Sequence, residues 1–288
     1  MTYVNFFGKT ISRLIVGDNP FTGHSYIEDV IPGQEMIKYY TAENIKSALK
    51  EIEKAGITTM LPLADPYIAR ILKEYNENGG NLQFIWQPYM PLRQDVSMRE
   101  LARVKGTIGI YHQGTTTDRL YREGNIEQIK ENIKMWRELG VPVGLASHQP
   151  HVIAQCEEED WGPDFYLTSL HNGNRWKNGE QSSFITGESK AHIRFSAKDR
   201  PLMLEVVKNI KKPVGVYKIF AGGQMFLNKT EEEQREAIKG VYEEIFSVLK
   251  PDDFAIFGAF QRDKNQIKEN VDLYNEWYQE SSAKKSAE

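Results

Sequence analysis

The chain has 288 residues with a formal net charge of −4, 40% hydrophobic and 26% charged residues, which fits a globular protein large enough to bury a core without staples. The weak acidic balance offers no basic footprint for nucleic acid and no basic stripe for a membrane surface. The single cysteine, Cys156, excludes an internal disulfide framework and any multi-cysteine metal or iron–sulfur centre, and reads as a buried, inert thiol. The N-terminal stretch MTYVNFFGKT lacks the long apolar segment of a signal peptide, and there is no run of 18 apolar residues. A reducing cytoplasm is the expected compartment, with a small-molecule substrate and neither nucleic acid nor membrane as partner.

Apolar runs alternate with helical patterns along nearly the whole chain. "ISRLIVGDNPF" reads as a strand ending near Gly17 and Asp18. "TAENIKSALKEIEKAG" places Ile45, Leu49 and Ile52 at helical spacing, with Thr41 as N-cap and Gly56 as the stop. "ITTMLPLADP" is a second strand, "PYIARILKEYNENGG" a helix closed by glycines, and "NLQFIWQPYM" a third strand. "SMRELARV" is a short helix with Ser97 and Glu100 at capping-box spacing. "GTIGIYHQGTTTD" is the fourth strand and "NIEQIKENIKMWRELG" an amphipathic helix. "VPVGLASHQP" is the fifth strand, "HVIAQCEEEDW" the fifth helix and "DFYLTSLHN" the sixth strand. Residues 173–199 form a long polar, Gly/Ser-rich connection, too long for a routine strand–helix loop and expected to cover a site as a lid. Helix "RPLMLEVVKNIKK", strand "PVGVYKIFAGG", helix "EEEQREAIKGVYEEIFSVLK", strand "FAIFGAF" and helix "DKNQIKENVDLYNEWYQ" complete the pattern.

Eight apolar strands, each followed by a helix, predict an α/β fold: a single (β/α)8 TIM barrel over residues 1–279 with a long loop after the sixth strand. The tail, 280–288, reads as disordered. Barrel enzymes work at the C-terminal ends of their strands. Those ends carry Asp18 and Asn19, Asp65, Gln87 and Tyr89, His112 and Gln113, Ser147 and His148, His171 and Asn172, Lys218, and Phe260 with Gln261. Three of the six histidines close consecutive strands, and neighbouring strands lie about 4.8 Å apart. His112, His148 and His171 could converge with Asp65 on a divalent metal such as zinc, manganese, iron or cobalt, or could hydrogen-bond the hydroxyls of a ligand. Lys218, late in an apolar strand, suits a base or an imine former if desolvated, or an ion pair to Asp65 or Asp18. Gly222 and Gly223, with Phe260, Gln261, Gln266 and Asn270, stand where barrels often hold a phosphate. Arg175 and Trp176 of the long connection are candidate substrate contacts. His24, His151 and His192 read as surface or loop residues.

On these residues the chain resembles the aldo-keto reductase barrel superfamily. "ISRLIVGDNPFTG" resembles its first strand, and "AGITTMLPLADPYIARILKEY" its second, where an aspartate is followed by a tyrosine. "GIYHQG" resembles the fourth strand with its histidine, "LGVPVGLASHQPHVIAQCEEEDW" the "IGVSNH" segment, and "QIKEN" the closing helix beneath the cofactor phosphate. The resemblance implies a tetrad of Asp, Tyr, Lys and His, of which Asp65 and His112 match. Tyr67 follows Asp65 by two residues rather than five, Gln87 stands where the third-strand lysine belongs, and Thr168 stands for the glutamine that meets the nicotinamide. These departures point to a barrel enzyme that acts on a small sugar-like or keto-sugar substrate by metal- or histidine-assisted isomerisation, epimerisation or elimination. Asp65, His112, His148 and Lys218 would be its catalytic residues. The alternatives are an atypical NADPH-dependent reductase with Tyr67 or Tyr89 as acid, and a catalytically inactive ligand-binding barrel.

Overall fold

The computed structural model describes residues 1–88, 94–172 and 193–287, with backbone alone for 94–97 and 285–287. Tyr89, Arg175, Trp176, His192 and most of the expected lid lie outside the described residues. The chain opens with an antiparallel hairpin of β1 (Tyr3–Phe6) and β2 (Lys9–Ser12). Eight parallel strands then close into a barrel in sequence order: β3 (Leu14–Gly17), β4 (Thr59–Leu61), β5 (Gln83–Trp86), β6 (Thr107–His112), β7 (Val143–Ser147), β8 (Phe165–Ser169), β9 (Val214–Tyr217) and β10 (Phe254–Gly258), which pairs back onto β3. This is the (β/α)8 barrel that the alternation predicts. Around it stand α1 (Gly33–Tyr39), α2 (Ala42–Lys54), α3 (Pro66–Glu77), α4 (Gln94–Ala102), α5 (Gly114–Arg122), α6 (Ile126–Arg137), α7 (Pro150–Glu159), α8 (Asp199–Val207), α9 (Glu231–Phe246) and α10 (Gln266–Ala287).

Strand side chains alternate between two cores, as a period of two requires. Ile15, Leu61, Ile85, Ile108, Phe165, Leu167, Phe254 and Ile256 fill the barrel. Leu14, Val16, Ile110, Leu145, Tyr166 and Val216 face the helices instead. Gly144 and Gly215 make room inside: a Cβ on either would meet the ring of Phe165 or Phe254 at 2.4 Å.

Four elements differ from the sequence reading. The first predicted strand is really two, because Lys9–Ser12 turns away to pair with Tyr3–Phe6. The hairpin's two-residue turn, Phe7 and Gly8, has φ of 49° and 80°, the left-handed pair of a type I′ turn. The fourth strand stops at His112, and "GTTTD" begins α5 rather than extending the strand. The helix read as starting at Ser97 starts at Gln94, so Ser97 lies within it and is not its cap. The tail expected to be disordered continues α10 to Ala287, since alanine and lysine are good helix formers and Glu280 is held by Lys239 at 2.8 Å.

The hairpin seals the N-terminal end of the barrel. Phe6 is fully buried, with its ring 5.0 Å from that of Phe165 and 5.7 Å from that of Phe254, the first residues of β8 and β10. Phe6→Ala is expected to cost about 3–5 kcal/mol, as aromatic deletions in cores do. The check is a urea titration: the midpoint should fall with the slope unchanged, and a midpoint equal to wild type would show that the plug is dispensable.

Candidate active site

A cavity of about 410 Å³ opens at the C-terminal end of the barrel. That size falls in the range of small-molecule sites. Its floor is set by the strand ends: Asp18 after β3, Gln87 after β5, Tyr111 in β6, His148 after β7, and Tyr217 with Lys218 at β9. Segments above the barrel roof it with Tyr26, Ile193 and Phe195. Gln224 staples them: its Nε2 donates to the carbonyls of Tyr26 (2.9 Å) and Ile193 (2.7 Å), and its Oε1 accepts from the Phe195 amide (3.0 Å).

Lys218 brings an ammonium to the cavity floor. Its Nζ lies over the rings of Tyr26, Phe195 and Tyr217, at 5.3, 5.5 and 5.7 Å from their centroids. Among the described residues it makes no hydrogen bond or ion pair, so the ion pair to Asp65 or Asp18 weighed on the sequence is not formed. Desolvation pulls its ammonium down from 10.5 to about 8, with Asp118 opposing. Its backbone sits at φ 56°, an uncommon conformation for a residue with a long side chain. That break lets Lys218 and Tyr217, consecutive in the chain, both line the cavity.

Beside the lysine runs a hydrogen-bonded chain. Asp118 of α5 accepts from His148 Nδ1 at 2.8 Å and from the Ser147 hydroxyl at 2.5 Å. His148 Nε2 then faces the Tyr217 hydroxyl at 3.4 Å. Burial, with Lys218 second, lowers the imidazole below its usual range against the pull of Asp118, so it is neutral at pH 7 and its Nε2 is an acceptor. Asp18 closes the other side. It is 4% exposed and its carboxylate accepts from the Leu63 amide at 2.7 Å. Burial outweighs that bond and raises its pKa from 3.8 to about 7. Tyr111 donates to Gln87 Oε1 at 2.7 Å between them.

The other sequence candidates have different work. His112 ends β6 next to inward-facing Tyr111, so alternation sends it out to the helix layer. There Nδ1 bonds the Thr117 hydroxyl (2.8 Å), Nε2 accepts from Asn132 (3.2 Å), and the ring packs on Trp136. Burial drops its pKa to about 4. Asp65 is the N-cap of α3, accepting from the amides of Tyr67 and Ile68. Tyr67 is 52% exposed on that helix, away from the cavity. His171 is buried, with Nδ1 on the Ser196 carbonyl at 3.1 Å, and is no part of the cavity lining. Asn172 is buried behind it, its amide donating to Asp199 at 3.0 Å. Among the described residues no three His, Cys, Asp or Glu side chains are grouped as a metal ion requires. Of the set His112, His148, His171 and Asp65, only His148 reaches the cavity, so these residues do not fit a shared metal. Cys156 is buried, and its thiol is pushed up to about 12 by burial, the inert state expected of it.

Asn19, Gly222, Gly223, Phe260, Gln266 and Asn270 line the cavity; Gln261 does not. Three backbone amides at the start of α10 and just after β10 are already engaged. Ile267 N donates to Gln261 Oε1 (3.1 Å), Lys268 N to Asn265 Oδ1 (2.9 Å), and Gln266 Oε1 accepts from Phe260 N (2.9 Å). Sequence reading missed Asp118, Tyr217 and Tyr111. The first was hidden by taking α5 for strand, and the second by an alternation that the left-handed Lys218 interrupts. His24, read as a loop residue, also lines the cavity mouth.

The sequence matches no known family profile and no curated protein. Solved structures share the fold. Gox0644 in its apo form has a TM-score of 0.56 and 11% identity, over 95% of this chain and 88% of that one. A dihydropteroate synthase of Yersinia pestis, with a sulfonamide drug, has 0.55 and 11%, over 98% and 100%. A truncated 3-deoxy-D-arabino-heptulosonate 7-phosphate synthase of Thermotoga maritima has 0.54 and 10%, over 99% and 92%. The chain is a (β/α)8 barrel. At such identities the likeness is one of fold. Among the described residues no helix is long and apolar enough to cross a membrane.

The raised pKa of Asp18 has a measurable consequence. Between pH 3.8 and about 7 the folded protein keeps a proton that the unfolded chain has released, so stability falls as pH rises through that window. Asp18→Asn keeps an acceptor for the Leu63 amide and removes the buried charge. It should be more stable than wild type at pH 8 by about 2 kcal/mol, roughly 4–8 °C in Tm, and gain nothing at pH 4. Equal Tm values for the two proteins at pH 8 would refute the burial argument.

Proposed function

We propose that the chain is a barrel enzyme that moves a proton α to a carbonyl on a small carbonyl substrate, the first step shared by isomerisation, epimerisation and elimination, with Lys218 as its covalent group. The observation that carries this reading is the half-buried Lys218 at the cavity floor, without an ion pair among the described residues and with its ammonium lowered to about 8. At pH 7 about one molecule in ten then holds a neutral amine, roughly 300 times the share of an ordinary lysine.

The steps balance without an outside reagent. The neutral Lys218 nitrogen attacks the carbonyl carbon, and the C–N bond forms as the C=O π electrons move to the oxygen, which takes up the proton the nitrogen sheds. A second proton, given by Asp18 in its protonated form, lets that oxygen leave as water, and the iminium remains. The Tyr217 hydroxyl relays the nitrogen's proton to the oxygen and stays protonated, because burial raises its pKa well above the usual range; neutral His148 accepts at Nε2 while Asp118 holds its Nδ1 proton in place. The iminium withdraws electrons from the neighbouring carbon, whose proton passes to the Asp18 carboxylate. A pKa of about 7 lets Asp18 take that proton and return it at neutral pH. Return to the other face gives epimerisation, return to the neighbouring carbon gives isomerisation, and loss of a β-hydroxyl gives elimination. Hydrolysis of the iminium restores the amine.

A reductase reading has less to rest on. Asp65 and His112, the two tetrad positions that match by resemblance, cap a helix and sit sealed behind the strand. The amides of Ile267 and Lys268 at the start of α10 are already bonded.

Treating the protein with glyceraldehyde and sodium cyanoborohydride at pH 7 and mapping the adduct by mass spectrometry tests the imine. Label should concentrate on Lys218, rise about tenfold per pH unit below pH 8 and level off above it. It should vanish from that peptide in Lys218→Met. Label spread over surface lysines with none on Lys218 would remove the covalent role.

A further inference from the structure

The cavity has two chemically different parts. The floor carries the ionisable groups. The lining continues past the ends of β9 and β10 to residues of α9 and α10, and this second part, the arm, carries Ile27, Ile31, Met36, Phe226, Ile238 and Phe260. Polar side chains that border the arm are occupied with one another. Lys264 pairs with Glu269 at 2.7 Å, and Gln234 donates to the Lys229 carbonyl at 3.0 Å. Asn270 accepts from Tyr242 (3.2 Å) and donates to the Gln266 carbonyl (2.7 Å), while Gln266 Oε1 accepts from Phe260 N (2.9 Å). The first amides of α10, of Ile267 and Lys268, are taken by Gln261 and Asn265. A phosphate or a string of hydroxyls placed there would lose its water and find few free partners, which costs binding energy. An apolar group would lose nothing and would cover side chains that are otherwise open to water. Ile27, Ile31 and Phe226 are only partly buried.

We propose that this arm receives an uncharged hydrophobic substituent of the substrate, which is therefore an aryl or alkyl ketone or aldehyde with its polar carbonyl end at Lys218. The inference rests on the carbonyl reading of the floor. The arm's composition does not depend on whether an imine forms.

The experiment uses 4-phenylbutan-2-ol, which has the arm and a hydroxyl but cannot form an imine, and erythritol, which is hydroxylated throughout. Binding of each to the full chain is measured by calorimetry. The phenyl alcohol should bind at least about tenfold tighter than erythritol. Ile31→Asn and Phe226→Asn, both at partly buried positions, should each weaken it by about tenfold. Phe226→Leu should retain most of the affinity, and an unchanged Tm in each variant reports that the fold persists. No measurable binding of the phenyl alcohol, equal or tighter binding of erythritol, or affinity unmoved in both asparagine variants would overturn the assignment. Because neither probe reacts with Lys218, a failed labelling experiment with a positive result here would refute the imine and leave the arm standing.

Discussion

Closure of eight parallel strands into a ring allows each strand residue one of two places, the barrel interior or the helix layer, and the chemistry of the cavity follows from that sorting. Tyr111 and His112 show it at one strand end. The tyrosine falls inside and reaches the cavity, and the histidine falls outside, where Thr117, Asn132 and Trp136 enclose it. At β9 the same rule would send one of Tyr217 and Lys218 out. The φ of 56° at Lys218 ends the alternation and turns its side chain inward as well. Such a backbone costs of order 1 kcal/mol and persists only where surrounding structure imposes it, which is characteristic of functional positions.

Two desolvated ionisable groups, Asp18 and Lys218, then line one cavity. Asp18 disfavours its charged form and holds a proton up to about pH 7. Lys218 disfavours its own charged form and gives up a proton from about pH 8. The penalty at Lys218 is full below pH 8 and is relieved as pH rises toward 10.5, whereas that at Asp18 is absent below 3.8 and full above 7. Near neutrality both groups exchange protons readily and both cost stability. The interior pays for this with its aromatic plug and two apolar cores.

The fold was legible in the sequence because eight apolar runs and intervening helical patterns leave few other architectures, and the strand ends could be read from where apolar character stops. Lys218, Asp18, Gln87 and His148 were legible for the same reason. What failed was orientation. A sequence marks a strand end to within a residue or two, and one residue decides between cavity and helix layer, so His112 was assigned to the site and its neighbour Tyr111 passed over. Asp65 failed differently: an aspartate followed by proline is also a helix N-cap, and that local role won. Asp118 carried no strand-end signal at all, since α5 was taken for an extension of β6.

That overlooked helix is what gives the two histidines their separate fates. Thr117 of α5 accepts from His112, and its hydroxyl donates in turn to the Gln113 carbonyl at 3.1 Å, which fixes one tautomer and closes the ring off. One residue on, Asp118 points to β7 and fixes His148 in the tautomer that leaves Nε2 toward Tyr217. Gly114, at the start of the same helix, lets backbone approach both rings: a Cβ there would meet the Tyr217 hydroxyl at 3.1 Å and the His148 ring at 3.2 Å. A histidine at a strand end is therefore not a site until a neighbouring element leaves it a free nitrogen and a direction. In this barrel a single helix of nine residues withholds both from His112 and grants both to His148.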